Sequence, residues 1–200
     1  VRARSSIVGR CVDSRDAFLE ELSAVYLHAR YDVRVDTADM AWIAYTTPEL
    51  KKLEQNVVVP LSVKPDRIMC QLFVDPTRVS DSEKLMTELH TLSSDMQDIP
   101  LRIDFSDIFD DSEYEAIYDK NNRRMTITSG GSAENGGLAP LSVVSLWQDI
   151  ECDADSVIMS GGHGATLRFG HDTNLYRLLT LIGALDSCHK DKNGIDLMDE

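Results

Sequence analysis

The clearest candidate for chemistry is the run Gly170-His171-Asp172, which joins a short strand pattern at residues 165–169 to an amphipathic helix pattern. A histidine at the carboxyl end of a strand, followed by an aspartate in the first helical turn, lies where open α/β sheets bind ligands. The helix N-terminus adds backbone N–H groups and partial positive charge, which favour anions. The spacing therefore indicates an anion site at His171 and Asp172. Taken alone, the pair also fits a core histidine beside a capping aspartate.

A second candidate is a basic island at the other end of the chain. Arg2, Arg4, Arg10 and Arg15 fall within the first fifteen residues of a 200-residue protein whose formal net charge is −14. Such an island suits a small anionic ligand, because the guanidinium fork matches phosphate oxygens. For Arg10 the alternative is a surface salt bridge, and for Arg4 it is a structural role in buttressing the loop. The acidic chain as a whole argues against nucleic acid as a partner.

The two segments resemble a known family, the histidine acid phosphatases. Leu-Arg-Phe-Gly-His-Asp-Thr-Asn-Leu at residues 167–175 is similar to the family's His-Asp motif. Arg-Ser-Ser-Ile-Val-Gly-Arg-Cys-Val at residues 4–12, with Ala17-Phe18 behind it, resembles the segment in which a phosphate-binding arginine precedes a helix. Gly9 departs from the proline that related sequences often carry. The matches stand in the family's order, and the branch they most resemble contains multiple inositol-polyphosphate phosphatases and phytases.

The resemblance implies a role for each matching residue. Arg10 would bind phosphate oxygens, with Arg4 as a lesser candidate, and Thr173 would offer its backbone N–H or hydroxyl at the helix start. His171 would donate a hydrogen bond to the phosphoryl group, and Asp172 would protonate the leaving alcohol. The substrate would be a phosphomonoester, with inositol phosphates such as phytate expected. No cofactor and no metal is implied.

The family's nucleophile has no counterpart in the sequence. It is the histidine of an Arg-His-Gly-x-Arg motif, and of the five histidines, His28, His90, His163, His171 and His189, only His163 precedes a glycine. His163 follows Gly162 rather than an arginine, so we interpret it as a loop histidine. The chain is therefore expected to be an incomplete portion of the enzyme. The alternatives are a non-catalytic anion-binding or helical interaction module, and an acidic helical protein with accidental matches.

The predicted fold class is α/β, with a histidine-phosphatase-like core and a largely helical cap. Residues 1–30 would form one core segment, 31–135 the cap insert, and 136–200 a second core segment with the strand, the His-Asp motif and a helix. In relatives that core is a doubly wound sheet. A partial sheet exposes strand edges, and a homodimer that covers them is one expectation.

Several helix starts are predicted from capping residues. Asp13 or Ser14 would begin a helix, which leaves residues 4–11 as a loop, and Thr47 before Pro48 would begin another. Ser-x-x-Glu capping boxes are predicted at Ser80 with Glu83 and at Ser112 with Glu115. A further helix is expected from Pro140 to about Ile150. The glycine-rich residues 128–137 read as a loop and as the likeliest internal boundary.

The four cysteines are widely spaced and form no CxxC pair, which argues against a zinc knuckle or a redox motif. Two disulfides and free thiols both remain open from the sequence. No apolar stretch reaches the ~20 residues that span a bilayer, and no secretory signal is visible. The resemblance implies a periplasmic, cell-surface or secreted location.

Overall fold

The computed structural model describes residues 1–35, 43, 46–96, 104–105, 107–161 and 164–184. In that part of the chain, eight α-helices accompany one sheet of three parallel strands, which confirms the predicted α/β class. The elements are, in chain order, β1 (Arg2–Ser5), α1 (Gly9–Val25), β2 (Asp32–Val35), α2 (Pro48–Asn56), α3 (Asp66–Leu72), α4 (Ser82–Asp95), α5 (Asp111–Ser129), α6 (Leu138–Leu141), α7 (Val144–Ser160), β3 (Thr166–Phe169) and α8 (Asp172–Leu181). Short 3₁₀ helices lie at Pro76–Arg78 and Ala133–Asn135.

The sheet has the strand order β2-β1-β3, so β1 is central. Ser5 pairs in parallel with Val35 on one side and with Phe169 on the other. Since all three strands run the same way, their carboxyl ends meet at one edge of the sheet. The strand predicted at residues 165–169 is confirmed as Thr166–Phe169.

The segment around Arg4 to Cys11 was predicted as a loop, and this prediction was wrong at both ends. Residues Arg2–Ser5 form β1, and α1 already begins at Gly9 rather than at Asp13 or Ser14. Val8 is in extended conformation, and its carbonyl accepts hydrogen bonds from the backbone N–H groups of Cys11 and Val12. Backbone hydrogen bonds therefore set this helix start without a capping side chain. As a result, Arg10 lies in the first turn of α1.

Helices cover both faces of the sheet, because successive side chains of a strand point to opposite sides. On one face, Arg15 of α1 donates from Nη1 to Ser5 Oγ at 2.9 Å. The Phe18 and Phe169 ring centroids lie 5.8 Å apart on that face. On the other face, Arg168 of β3 is paired with Asp149 of α7 at 2.5 Å. The sheet is thus sandwiched between α1 and α7.

The chain divides into two compact units. The first unit comprises the described residues within Val1–Val57 and Met125–Glu200, and the second unit is Val58–Arg124. The Val58–Arg124 unit begins later than the predicted 31–135 insert, because β2 lies within that insert but pairs with β1 in the sheet of the first unit. The predicted insert ends at residue 135, whereas Asn135 belongs to the first unit. Its side-chain amide donates to the carbonyls of Ile127 and Gly130 in that unit.

The Val58–Arg124 unit is helical and has its own apolar core. Its buried side chains belong to α3, α4, α5 and the residues just before α5; they are Ile68, Met69, Met86, Phe105, Phe109 and Ile117. Burial of this contiguous cluster is the main contribution to the stability of the unit.

Aspartates cap the two long helices of this unit, in place of the predicted serines. Asp81 accepts from the backbone N–H of Lys84 at 2.9 Å and thereby caps α4. Asp110 and Glu113 form a reciprocal capping box at the start of α5. The Glu113 N–H donates to Asp110 Oδ1 and the Asp110 N–H donates to Glu113 Oε2, both at 3.0 Å. The N-cap residues of the two helices, Asp81 and Asp110, therefore lie one residue after the predicted Ser80 and two residues before the predicted Ser112.

In the first unit, α8 is held to the region of α2 by a buried arginine. Arg177 is 2% exposed, and its guanidinium donates to Glu54 Oε1 at 2.5 Å. It also donates to Thr46 Oγ1 at 3.2 Å and to Asn174 Oδ1 at 3.3 Å. The predicted helix start at Thr47-Pro48 is confirmed: the Thr47 hydroxyl accepts from the Leu50 N–H. The helix predicted from Pro140 is instead two helices, α6 and α7.

His90 packs on aromatic rings at the edge of the core of the second unit. Its ring centroid lies 5.3 Å from that of Tyr114 and 6.2 Å from that of Phe109. Burial against these rings lowers the pKa of His90 below its usual value of about 6.5. The folded unit therefore holds the neutral imidazole.

We expect this histidine to make the second unit acid-sensitive. Below pH ~6.5 the unfolded chain takes up a proton at His90 more readily than the folded chain does, so stability falls as the pH decreases. His90→Gln removes this proton uptake and should lower the loss of stability between pH 7.5 and 5.5. Urea midpoints from circular dichroism measure the loss, with the exposed His28→Gln as the matched control. An unchanged pH slope in His90→Gln would contradict the assignment.

No described helix has both the length and the apolar character required to cross a membrane. Of the cysteines, Cys11, Cys70 and Cys152 are free thiols, and Cys188 lies outside the described residues.

Candidate active site

The candidate site lies at the carboxyl edge of the sheet, where β1 and β3 end side by side. The backbone N–H of Ser6 donates to the carbonyl of Phe169 at 3.1 Å, which extends the parallel pairing past the end of β1. Four residues after β1 comes the first turn of α1, and α8 begins three residues after Phe169. Two helix N-termini therefore follow from adjacent strands.

His171 is the N-cap residue of α8. Its backbone is extended, and its carbonyl accepts from the N–H groups of Asn174 and Leu175 at 3.1 Å each. The strand thus ends in an extended step that directs the imidazole away from the helix axis. The side chain is half-buried.

The imidazole of His171 joins the two segments that resemble the phosphatases. Nη2 of Arg10 lies 3.1 Å from Nδ1, and Oγ of Ser6 lies 3.3 Å from Nε2. Arg10 and His171 are separated by 161 positions in the sequence. The structure therefore brings together the two side chains that the sequence analysis proposed for phosphate binding.

These contacts define the tautomer of the ring. A guanidinium has only donors, so Nδ1 of His171 must be the acceptor of the Arg10 hydrogen bond. The remaining proton is then on Nε2, which donates to Ser6 Oγ.

Ser6 was not predicted as a site residue. It is completely buried, and its hydroxyl oxygen also lies 3.4 Å from the backbone N–H of Val8. The Ser6 hydroxyl therefore helps to fix the orientation of the His171 ring through its contact with Nε2. The only signal in the sequence was its position immediately after the residue that ends β1. That signal could not be used, because β1 was not predicted.

Cys11 and Gly170 hold the turn before His171. The Cys11 thiol is 4% exposed and donates to the carbonyl of Gly170 at 3.2 Å. A Cβ at position 170 would lie 2.8 Å from Cγ2 of Ile43, closer than real Cβ contacts come. Only glycine therefore fits this turn without displacing Ile43.

Asp172 and Thr173 occupy the first turn of α8. The Asp172 side chain is exposed, and Thr173 is half-buried. Asp172 and His171 both line a cavity of about 310 Å³. A carboxyl group thus stands beside the imidazole at an opening large enough for a small organic ligand.

Arg10 lies close to the starts of two helices, α1 and α8. Arg10 is exposed in the first turn of α1, and neither Val8 nor His171, the described N-cap residues, caps its helix with a side chain. Backbone N–H groups at both helix starts are then available to an anion. An anion placed between Arg10 and His171 would face donors from two helices.

Arg4 does not join this group. Its side chain lies on the face of the sheet that packs on α7, where Nη1 is 3.7 Å from Asp149 Oδ1. Arg2 lies on the same face and pairs with Asp153 at 3.0 Å. Of the basic island, only Arg10 reaches His171 in the part of the chain that the structure describes. Arg2 and Arg4 are thus engaged by carboxylates of α7 on that face of the sheet.

The described residues bring no second histidine to this edge. His28 lies after the end of α1 and His90 belongs to the other unit, while His163 and His189 lie outside the described residues. Among the residues the structure covers, no group of three or more His, Cys, Asp or Glu side chains is arranged to hold a metal ion.

No protein-family model matches the chain, and a search of curated proteins returns no match.

Proposed function

We propose that the chain carries the phosphate-binding part of a phosphomonoester hydrolase of the histidine acid phosphatase type. Arg10 and His171 bind the phosphoryl oxygens, and Asp172 donates the proton to the leaving alcohol. A parallel sheet with helices on both faces is consistent with the histidine-phosphatase-like core that the resemblance implies.

The observation that carries the proposal is the contact between Arg10 and His171 at the carboxyl edge of the sheet. Each residue was selected from its own motif, and their side chains lie 3.1 Å apart. A phosphate oxygen at this position would accept from the Arg10 guanidinium. It would accept from Nδ1 of His171 as well in the tautomer in which Ser6 Oγ donates to Nε2.

The reaction requires one bond to break at phosphorus. The phosphorus–oxygen bond of the ester cleaves, its electron pair stays on the alcohol oxygen, and Asp172 supplies the proton that this oxygen needs. The phosphoryl group passes to an attacking group and finally to water, which yields the alcohol and inorganic phosphate. In the family the attacking group is the histidine of Arg-His-Gly-x-Arg, and this motif is absent from the 200 residues.

A non-catalytic anion-binding module is the second candidate. It is favoured by the lack of another histidine at this edge among the described residues. Both candidates require the Arg10–His171 site, and they differ in whether the bound ester is hydrolysed.

The test is binding of orthovanadate, together with phosphate release from an aryl phosphate and from phytate at mildly acidic pH. Arg10→Ala is expected to weaken vanadate binding by roughly 10- to 100-fold, since charge-assisted hydrogen bonds contribute about 1.5–3 kcal/mol. The matched control is Arg78→Ala, which removes an exposed arginine in the Val58–Arg124 unit. It should bind vanadate as the unaltered protein does.

The possible results separate the candidates. Phosphate release that depends on Arg10 supports the hydrolase. Vanadate binding that Arg10→Ala abolishes, without release, supports the phosphate site itself, as expected of an incomplete hydrolase or of a non-catalytic anion-binding module. Vanadate binding that is absent, or equal in Arg10→Ala and Arg78→Ala, would refute both.

A further inference from the structure

The cavity beside His171 and Asp172 is mostly apolar. It lies between α7 and α8 at the carboxyl edge of the sheet, on the face opposite α1. Among the described residues, five aliphatic side chains line it, from α7, α8 and the segment before α2: Ile43, Leu146, Ile150, Leu175 and Leu178. Its volume of about 310 Å³ accommodates a ligand with one aromatic ring.

The two other polar side chains of the lining already have partners. Arg168 is paired with Asp149 at 2.5 Å and with Asp153 at 2.7 Å, carboxylates that it shares with Arg4 and Arg2, so its guanidinium donors are already engaged. The side-chain amide of Asn174 donates to the carbonyl of Ile43 and accepts from Arg177. Among the described lining residues this leaves Asp172 to meet a ligand, together with His171 once the ligand replaces its contact with Arg10.

We infer that the site takes phosphomonoesters of apolar alcohols, aryl or arylalkyl phosphates, in preference to inositol polyphosphates. This inference rests on the proposed function and specifies its substrate class. The single phosphate binds at Arg10 and His171, the ester oxygen lies at Asp172, and the organic group occupies the cavity. The charge of the ligand and its apolar part then match separate regions of the site.

A polyphosphorylated ring fits this cavity poorly. Its additional phosphates require cations, and the one cationic side chain of the described lining, Arg168, is bound by Asp149 and Asp153. Placing an anionic ring against five aliphatic side chains would also desolvate charge without compensation. The inositol phosphates implied by the resemblance are therefore not the substrates that the cavity favours.

The test compares benzylphosphonate with methylphosphonate by titration calorimetry on the intact chain. The two are stable to hydrolysis and differ by a phenyl group, so their affinity ratio reports the cavity alone. Burial of the ring predicts that benzylphosphonate binds roughly 10- to 30-fold more tightly. Inositol hexakisphosphate is expected to bind no more tightly than methylphosphonate.

Two variants locate the effect. Leu175→Asn makes an exposed lining residue polar and should reduce the preference for benzylphosphonate to about threefold or less, with methylphosphonate affinity unchanged. Leu141→Asn, at an equally exposed leucine outside the cavity, should retain the full preference.

The results distinguish a failure of this inference from a failure of the proposed function. Methylphosphonate that binds in an Arg10-dependent manner, with benzylphosphonate no tighter or with the hexakisphosphate tighter, would overturn the apolar-alcohol preference and leave the phosphate site intact. If no phosphonate binds, or if binding does not require Arg10, both proposals are overturned.

Discussion

Phosphate release from benzyl phosphate requires an attacking group; where the chain releases phosphate, Asp172→Asn is expected to reduce the rate by on the order of 10²- to 10⁴-fold, the usual contribution of a positioned general acid. Asparagine keeps the size and hydrogen-bonding capacity of the side chain but has no acidic proton to transfer. Benzyl alcohol is a poor leaving group without protonation, so its release depends strongly on the acid. The exposed position of Asp172 in the first turn of α8 makes a folding defect an improbable cause of the loss.

A substrate with a stable leaving anion separates the acid role from other roles of Asp172. p-Nitrophenolate departs without a proton, so Asp172→Asn should slow p-nitrophenyl phosphate far less than benzyl phosphate. Vanadate affinity should be preserved. Asp13→Asn, which removes an exposed carboxylate of α1, is the charge-matched control and should leave both rates unchanged. Equal losses on the two esters would show that Asp172 acts in binding or positioning instead.

The sequence predicted the strand, turn and helix around His171 correctly because their signals are local. A short apolar run, a glycine and an amphipathic pattern determine a strand end and a helix start in a few residues. The helix N-terminus that this predicts is present at Asp172. The same reasoning located the helix start at Thr47-Pro48.

The partners of His171 could not be predicted in the same way. β1 is four residues long and includes two arginines, so it lacks the apolar alternation that reveals a strand. Because β1 was not predicted, the parallel pairing of Ser5 with Phe169 could not be predicted either. That pairing places Ser6 within hydrogen-bonding distance of the imidazole. Contacts between residues so far apart in sequence depend on the sheet, which a single sequence does not encode locally.

For the same reason, the sequence could not show which arginine of the basic island reaches His171. By residue type alone, Arg4 and Arg10 are both suitable anion ligands. Successive side chains of β1 point to opposite faces of the sheet, and Arg4 points to the face where it meets Asp149 of α7. Arg10 lies beyond the strand, on α1, and so reaches the other motif. The distinction comes from which face of the sheet each side chain occupies.

Glu54→Ala is expected to destabilise the first unit by about 3 kcal/mol. Removing one partner of a buried ion pair leaves the other charge in a low-dielectric environment, at a cost of roughly 3–5 kcal/mol, and Arg177 is 2% exposed. The lower figure applies because the Glu54 side chain is 30% exposed, and water screens its carboxylate. Burial lowers the pKa of Arg177, and the attraction of Glu54 opposes this shift without cancelling it, so the carboxylate offsets part of the desolvation.

Urea unfolding followed by the fluorescence of Trp147, a half-buried residue of α7, measures this loss in the unit that contains the pair. Glu21→Ala removes an exposed glutamate of α1 and should change stability by less than about 0.5 kcal/mol. The double variant Glu54→Leu with Arg177→Met replaces both charges by apolar groups and should regain most of the stability. Because Arg177 also donates to Asn174 in the first turn of α8, Glu54→Ala should in addition weaken vanadate binding. If Glu54→Ala were as stable as Glu21→Ala, then the ion pair would not be what holds α8, and with it His171, against the rest of the unit.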